Sequence, residues 1–202
     1  MYEWRKMTEV QREEALTLRQ RFSLPWHRPP HGQSASSGGY HLSAACYEHR
    51  PLVGLSAQRL ALFEGSLLAE VASAGAEVLS WSVLPNHYHL LVQTPNLAGL
   101  LARIGRLHGR TSYDWNSEED SRGRKCWHAC ADRAIRSERH LWATLNYVHH
   151  NPVHHGYVAH WQEWPFSSAQ RYLDAIGHEL ALRYWRNYPV LDYGRGWDDP
   201  GM

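Results

Sequence analysis

Two histidines stand two positions apart in the run Leu84-Pro-Asn-His-Tyr-His-Leu-Leu-Val92. On a β-strand, residues i and i+2 leave the same face, roughly 6.5–7 Å apart. His87 and His89 can therefore chelate one metal ion while Tyr88 faces the other way. The same spacing also fits two surface histidines at a strand start, and a chain with 15 histidines offers such pairs by chance. A second run, Leu145-Asn-Tyr-Val-His-His-Asn-Pro-Val-His-His-Gly-Tyr-Val158, sets Tyr147 and Asn151 four residues apart. On a helix that spacing puts a phenol and an amide oxygen on one face. Pro152 opposes it, because the residue before a proline is biased away from helical geometry. A half-buried tyrosine followed by a helix-ending asparagine satisfies the run as well. Of the 11 tyrosines, Tyr113 is the main rival nucleophile, since it follows the basic stretch Arg103–Arg110.

Other clusters carry alternative chemistry. Arg103, Arg106 and Arg110 recur at helical spacing, with Arg122, Arg124 and Lys125 beyond them. Such a cluster can contact phosphates, or form a solvated helix face. Cys126, His128 and Cys130 alternate along a candidate strand, so two thiolates and an imidazole could bind a structural Zn²⁺, although no fourth ligand is evident. Exposed aromatics can stack on unpaired bases; Trp81 and Trp142, inside regular elements, are expected in the core.

Composition removes several classes. The chain has 202 residues, 43% hydrophobic and 20% charged, so it can build a core. Lys and Arg total 21 against 20 Asp and Glu, a formal charge of +1, which gives no bulk electrostatic argument for nucleic acid or membrane. No apolar run approaches the length of a membrane span, and the polar N-terminus lacks a signal-peptide core. Three cysteines argue for a reducing compartment. The expectation is a cytoplasmic protein with no membrane partner.

The elements that must carry these residues follow from periodicity. Residues 1–39 read as an N-terminal helical arm and linker: a helix over Glu9–Phe22 after Thr8, an extended stretch from Pro25 to Pro30, and a Gly/Ser-rich segment ending at Gly39. Strands are expected at Tyr40–Tyr47, Glu77–Leu84, His87–Thr94 and Lys125–Ile135. Ser56, Asn96 and Ser137 read as N-caps of three helices. The first spans Ala57–Ser73 with Leu60, Phe63, Leu67 and Val71 on one stripe, and the third runs to about His150. The resulting order is an α+β, ferredoxin-like split βαβ arrangement, an antiparallel sheet with helices on one face. Residues 40–160 form the main domain, and residues 161–202 an irregular C-terminal tail with a short helix near Ser167–Ile176.

The motifs together resemble a family. Leu84-Pro-Asn-His-Tyr-His-Leu-Leu-Val92 is similar to the histidine–hydrophobic–histidine motif of single-tyrosine HUH transposases of the IS200/IS605 type. The Tyr147-to-Val158 run and Trp164-Pro-Phe-Ser-Ser168 resemble the Tyr-x-x-x-Asn-Pro-Val and Trp-Pro-x-Ser-Ser elements of the REP-associated tyrosine transposases. The resemblance covers about residues 40–172, with three motifs in the family's order. Trp26-His-Arg-Pro-Pro-His31 is similar to an extension found in some members.

The resemblance implies metal-dependent cleavage and joining of single-stranded DNA beside a hairpin, a palindromic repeat element. It implies that His87, His89 and the side-chain oxygen of Asn151 hold Mg²⁺ or Mn²⁺. It also selects Tyr147 over Tyr113 as the nucleophile, giving a 5′-phosphotyrosine intermediate. Arg103, Arg106, Arg110, Arg124 and Lys125 are the candidate DNA contacts. His149, His150, His154 and His155, crowding the tyrosine segment, could make those contacts pH-dependent. The alternative function is a transposase-derived protein that binds DNA or RNA hairpins without cutting; a zinc hydrolase is a more distant one, lacking a general-base carboxylate beside the histidine pair. Monomer and dimer both fit the sequence.

Overall fold

The computed structural model describes Thr8, residues 38–191 and Tyr193. The expected helix over Glu9–Phe22 and the Trp26–His31 run lie outside the described residues, as does the end of the tail. Gly38 and Gly39, read above as the end of a linker, already belong to the first strand.

Four strands form one antiparallel sheet: β1 (Gly38–Ala45), β2 (Glu77–Val83), β3 (His87–Thr94) and β4 (Ala131–Ala134), in the order β2-β3-β1-β4. Helices α1 (Ala57–Ser73) and α2 (Leu97–Glu118) are the two crossovers, giving the split βαβ topology. Each begins where a side-chain cap satisfies an orphan backbone donor: Ser56 accepts from Arg59 N–H, and Asn96 from Gly99 N–H. Leu60, Phe63, Leu67 and Val71 form the buried stripe of α1, with Leu100, Ile104 and Leu107 of α2 beside it. Against them the sheet presents Leu42, Ala44, Val83, Tyr88, Leu90 and Val92. Each fully buried Leu or Phe here contributes about 1.5–3 kcal/mol.

The third helix, α3 (Glu138–His154), lies across β2 and β3 on the opposite face, so the expectation of helices on one face holds for the two crossovers alone. That is why β3 is buried over nearly its whole length. The helix runs through Pro152 to His154, past the end expected at His150. Its last turn is closed by a Schellman motif: Gly156, at φ +71°, donates to Val153 O, and Tyr157 N–H donates to Pro152 O. Asn151 is thereby kept helical despite the proline that follows it.

Two further expectations change. The fourth strand is four residues long rather than 125–135, with one isolated bridge, Cys46–Trp127, upstream. Residues 126–128 stay paired with β1, Tyr47 N–H donating to Cys126 O and His128 N–H to Ala45 O, while the Trp127 ring stacks on His108 at 4.3 Å and on Phe63 at 5.1 Å. The pairing is interrupted between His128 and Ala131. The tail is more helical than expected: the short helix near Ser167–Ile176 is present as α4 (Ala169–Ile176), and a second, α5 (His178–Asn187), follows it across Gly177, φ +83°. Tyr184 and Tyr188 of the tail are core, packing on Trp142 at 4.3 Å and 6.2 Å.

The Trp-Pro-Phe-Ser-Ser segment covers the outer edge of β2, a strand edge that would otherwise present unpaired backbone groups. Val83 N–H donates to Phe166 O, Ser168 N–H to Trp81 O, and Trp164 Nε1 to Val83 O. Ser168 Oγ accepts from Trp81 N–H and lies 2.8 Å from His149 Nε2. One serine thus ties the sheet edge to helix α3. No described helix is long and apolar enough to cross a membrane.

Candidate active site between strand β3 and helix α3

The pleat of β3 sends His87, His89 and Leu91 to the α3 face, and Tyr88 to the core. Their neighbours in register are small or polar: Ala45, Ser43 and His41 on β1, Ser82 and Ser80 on β2. Small residues let α3 approach the sheet closely. Its i, i+4 pair, Tyr147 and Asn151, faces the two histidines, and all four side chains are buried. His87 and His89 have ring centroids 5.2 Å apart. The Tyr147 ring lies 5.1 Å from that of His89, and Asn151 Oδ1 lies 2.9 Å from His87 Nε2.

The second ring nitrogen of each histidine has a hydrogen-bond partner. Asn86 Nδ2 donates to His49 O, which turns Asn86 Oδ1 toward His87 Nδ1 at 2.7 Å. An amide oxygen only accepts, so in a neutral ring Nδ1 carries the proton and Nε2 the lone pair. That lone pair and Asn151 Oδ1 are then two acceptors facing each other, an arrangement that a cation between them would relieve. His89 Nδ1 lies 3.1 Å from His41 Nε2. Hydrogen bonds of this kind at the nitrogen away from a metal set the tautomer of a ligating imidazole. Two imidazole nitrogens and an amide oxygen are donors for a divalent ion with positions left for water or phosphate.

Neither His41 nor Asn86 is singled out by the sequence reading. Asn86 is visible inside the motif but reads as a turn residue; His41 stands alone on its strand and meets His89 only through β1–β3 register. Tyr193 is a third addition, its ring 5.3 Å from Tyr147 and 6.2 Å from His41, with its hydroxyl 2.6 Å from Thr144 Oγ1.

Other expected residues are not brought here. Tyr113 is 65% exposed on α2, with the Arg122 guanidinium 4.3 Å over its ring, on the far side of the sheet. Tyr88 packs in the core against Phe63, as its alternation requires. The arginines of the basic cluster belong to the crossover-helix side of the sheet. Arg103 and Arg110 both pair with Glu70, Arg124 pairs with Glu119, and Arg106 sits on the same helix α2. Lys125 lies 4.5 Å over the Tyr47 ring, just past the end of β1.

The zinc reading of Cys126, His128 and Cys130 does not survive. Cys126 Sγ turns inward to Asn116, His128 is exposed beside Tyr47, and burial pushes the Cys130 thiol up to about 11. Among the described residues no group of three His, Cys, Asp or Glu side chains could hold a metal ion. His149, one of the four histidines expected near DNA, is buried, and burial lowers its imidazole to about 3. His154 is exposed, His150 packs on Trp185, and the His155 ring is 4.7 Å from that of His87.

No protein-family model matches the chain. A REP-associated tyrosine transposase of Haemophilus influenzae is 30% identical over 129 residues, which cover 57% of this chain and 69% of that protein. A REP-associated tyrosine transposase of Escherichia coli is 27% identical over 105 residues, 47% of this chain and 55% of its own length. The solved structure of a REP-associated tyrosine transposase bound to a REP hairpin shares the fold, with a TM-score of 0.54 at 18% identity over 73% of this chain and 84% of that one. By its relation to the Haemophilus protein, the chain belongs to the REP-associated tyrosine transposases.

Proposed function

We propose that this chain cleaves and rejoins single-stranded DNA beside a hairpin, in the cytoplasm, with Tyr147 as nucleophile and Mg²⁺ or Mn²⁺ held by His87, His89 and Asn151. The observation that carries the reading is the convergence of Tyr147 and Asn151, one helical turn apart, on the two β3 histidines. A divalent ion there would polarise the scissile phosphodiester and offset charge on its non-bridging oxygens.

The chain's own groups do the rest. Asn86 and His41 hold the two imidazoles with Nε2 facing α3. Tyr147 Oη attacks phosphorus in line; the bond from phosphorus to the 3′-oxygen breaks, and the phenol gives up a proton while the leaving oxygen takes one. The products are a 5′-phosphotyrosine and a free 3′-hydroxyl. Attack by another 3′-hydroxyl reverses the step and joins strands without external energy. The solved relative bound to a REP hairpin supports a hairpin as the partner. The arginine cluster would meet DNA only as a second footprint, separate from the histidines.

The test is a labelled hairpin oligonucleotide with single-stranded flanks, incubated with Mg²⁺ or Mn²⁺ and run on a denaturing gel. A covalent protein–DNA band is expected, lost in Tyr147→Phe with binding retained. A band that persists in that variant overturns the assignment. One observation favours the alternative, hairpin binding to DNA or RNA without cutting: Tyr147 is only 5% exposed, with the Tyr193 ring against it. That alternative predicts metal-independent binding and no band with any ion.

A further inference from the structure

The catalytic reading leaves unexplained a line of rings that leaves the site and ends at the surface. From His87 the contacts pass to His155 at 4.7 Å, from His155 to Tyr157 at 6.4 Å, and from Tyr157 to Trp164 at 5.4 Å with the planes 35° apart. Tyr157 is 41% exposed and Trp164 half-buried. Most of the described large aromatics are covered by protein, and a tyrosine this exposed beside a tryptophan is not serving the core.

The pair is also held rigidly with respect to the chemistry. Tyr157 is the residue whose N–H closes the Schellman motif on Pro152 O, so it is fixed to the helix that carries Tyr147 and Asn151. Trp164 is fixed to the sheet, its Nε1 donating to Val83 O two residues past Trp81 on β2. Tyr157 is thus two ring contacts from a proposed metal ligand, within reach of the nucleotides next to the scissile phosphate. Its charged surroundings are light: His154 and His160 are exposed on the same stretch, and the Glu163 carboxylate is turned back to accept from His160 N–H. Tyr113 is more exposed, yet its ring already carries Arg122 and lies on the far layer.

We propose that Tyr157 and Trp164 form a stacking subsite for an unpaired base of the single-stranded DNA adjoining the scissile phosphate. Aromatic faces accept any base, so the subsite grips single strands without reading their sequence. The inference rests on the proposed cleavage function and deepens it by assigning where the flank of the hairpin runs.

The test uses the full chain, Mn²⁺, and hairpins carrying 2-aminopurine at the first unpaired positions of the 5′ or the 3′ flank, with a flankless hairpin for comparison. The wild type is expected to quench the probe on one flank. Tyr157→Ala is expected to lose that quenching and weaken binding of the flanked hairpin about tenfold or more, with binding of the flankless hairpin unchanged. Tyr157→Phe, which keeps the ring, should behave as the wild type. Trp164 is left intact because its indole also anchors β2. If Tyr157→Ala quenches and binds as the wild type does while the Tyr147 adduct forms, the subsite is wrong and the cleavage reading stands. Selective loss of the flank's contribution with no adduct under any ion keeps the subsite and overturns cleavage. A wild type that neither binds flanked hairpins nor forms an adduct overturns both.

Discussion

His41 Nε2 and His89 Nδ1 lie 3.1 Å apart in the buried layer between the sheet and helix α3, joined by β1–β3 pairing across 48 residues of sequence. One of the two nitrogens must carry the proton. If His89 donates, its Nε2 keeps the lone pair that a metal needs, and His41 acts as a positioning residue.

Replacing His41 with alanine should therefore lower Mn²⁺ affinity by about 10–100-fold, the usual cost of losing such a partner, with the fold retained by circular dichroism. His41→Gln, whose amide oxygen can accept from Nδ1, should recover most of it. Titration calorimetry with Mn²⁺ alone decides, and equal affinity in His41→Ala and wild type would remove the role.

Gly54 supports the other histidine. Its N–H donates to Pro85 O, and a Cβ built on it would come within 2.3 Å of Pro85 Cβ. Gly54→Ala must push the Pro85-Asn86 turn away, and with it the Asn86 oxygen that orients His87. Overpacking of this kind costs about 1–3 kcal/mol. The expected outcome is that loss in urea unfolding, together with weaker Mn²⁺ binding; Gly65→Ala, on an open stretch inside helix α1, should stabilise the fold by up to about 1 kcal/mol and leave Mn²⁺ binding unchanged.

Acid should destabilise the chain through its buried imidazoles. Burial lowers His149 to about 3 and His108 to about 4, against about 6.5 in an unfolded chain. Because the folded values are depressed, the unfolded chain takes up protons first as pH falls, so stability is full above about 6.5 and falls toward pH 4. The slope is about 1.4 kcal/mol per pH unit for each imidazole in that window. His149→Gln, read by denaturant unfolding from pH 7 to 4.5, should remove one proton from the slope; an unchanged slope would mean that His149 is not held neutral.

Salt dependence separates the two faces of the sheet. Arg103 and Arg110 are already paired with Glu70 on the crossover-helix face. Two phosphate contacts would contribute nearly two units to the slope of log Kobs against log salt for duplex DNA. Replacing both arginines with alanine should shift the slope by well under that amount. A drop of two units would show instead that the hairpin stem lies along α2.

Much of this molecule is written locally. The caps Ser56, Asn96 and Ser137, the period of the α1 stripe and the alternation of β3 depend on neighbours within a few residues, so the sheet, its crossovers and the facing of His87 and His89 were legible. The three ordered motifs were legible as a family signature for the same reason. The short β4 was not, because the break in pairing between His128 and Ala131 leaves no mark in the alternation of residues 125–135. Of the tail helices, α4 was legible as a short helix near Ser167–Ile176, whereas α5 was not, because its buried Tyr184 finds its packing partner in Trp142 on α3.

The sequence by itself determined which residue types stand two and four positions apart, and hence which pairs share a face. Only the tertiary structure decided that the β3 pair and the α3 pair meet, that His41 arrives from a strand far away in sequence, and that the basic helix faces elsewhere. The physical reason is that register and helix packing act between segments: Ser43, Ala45, Ser80 and Ser82 leave room for α3, and Ser168 with His149 locks it there. No spacing along the chain encodes those contacts.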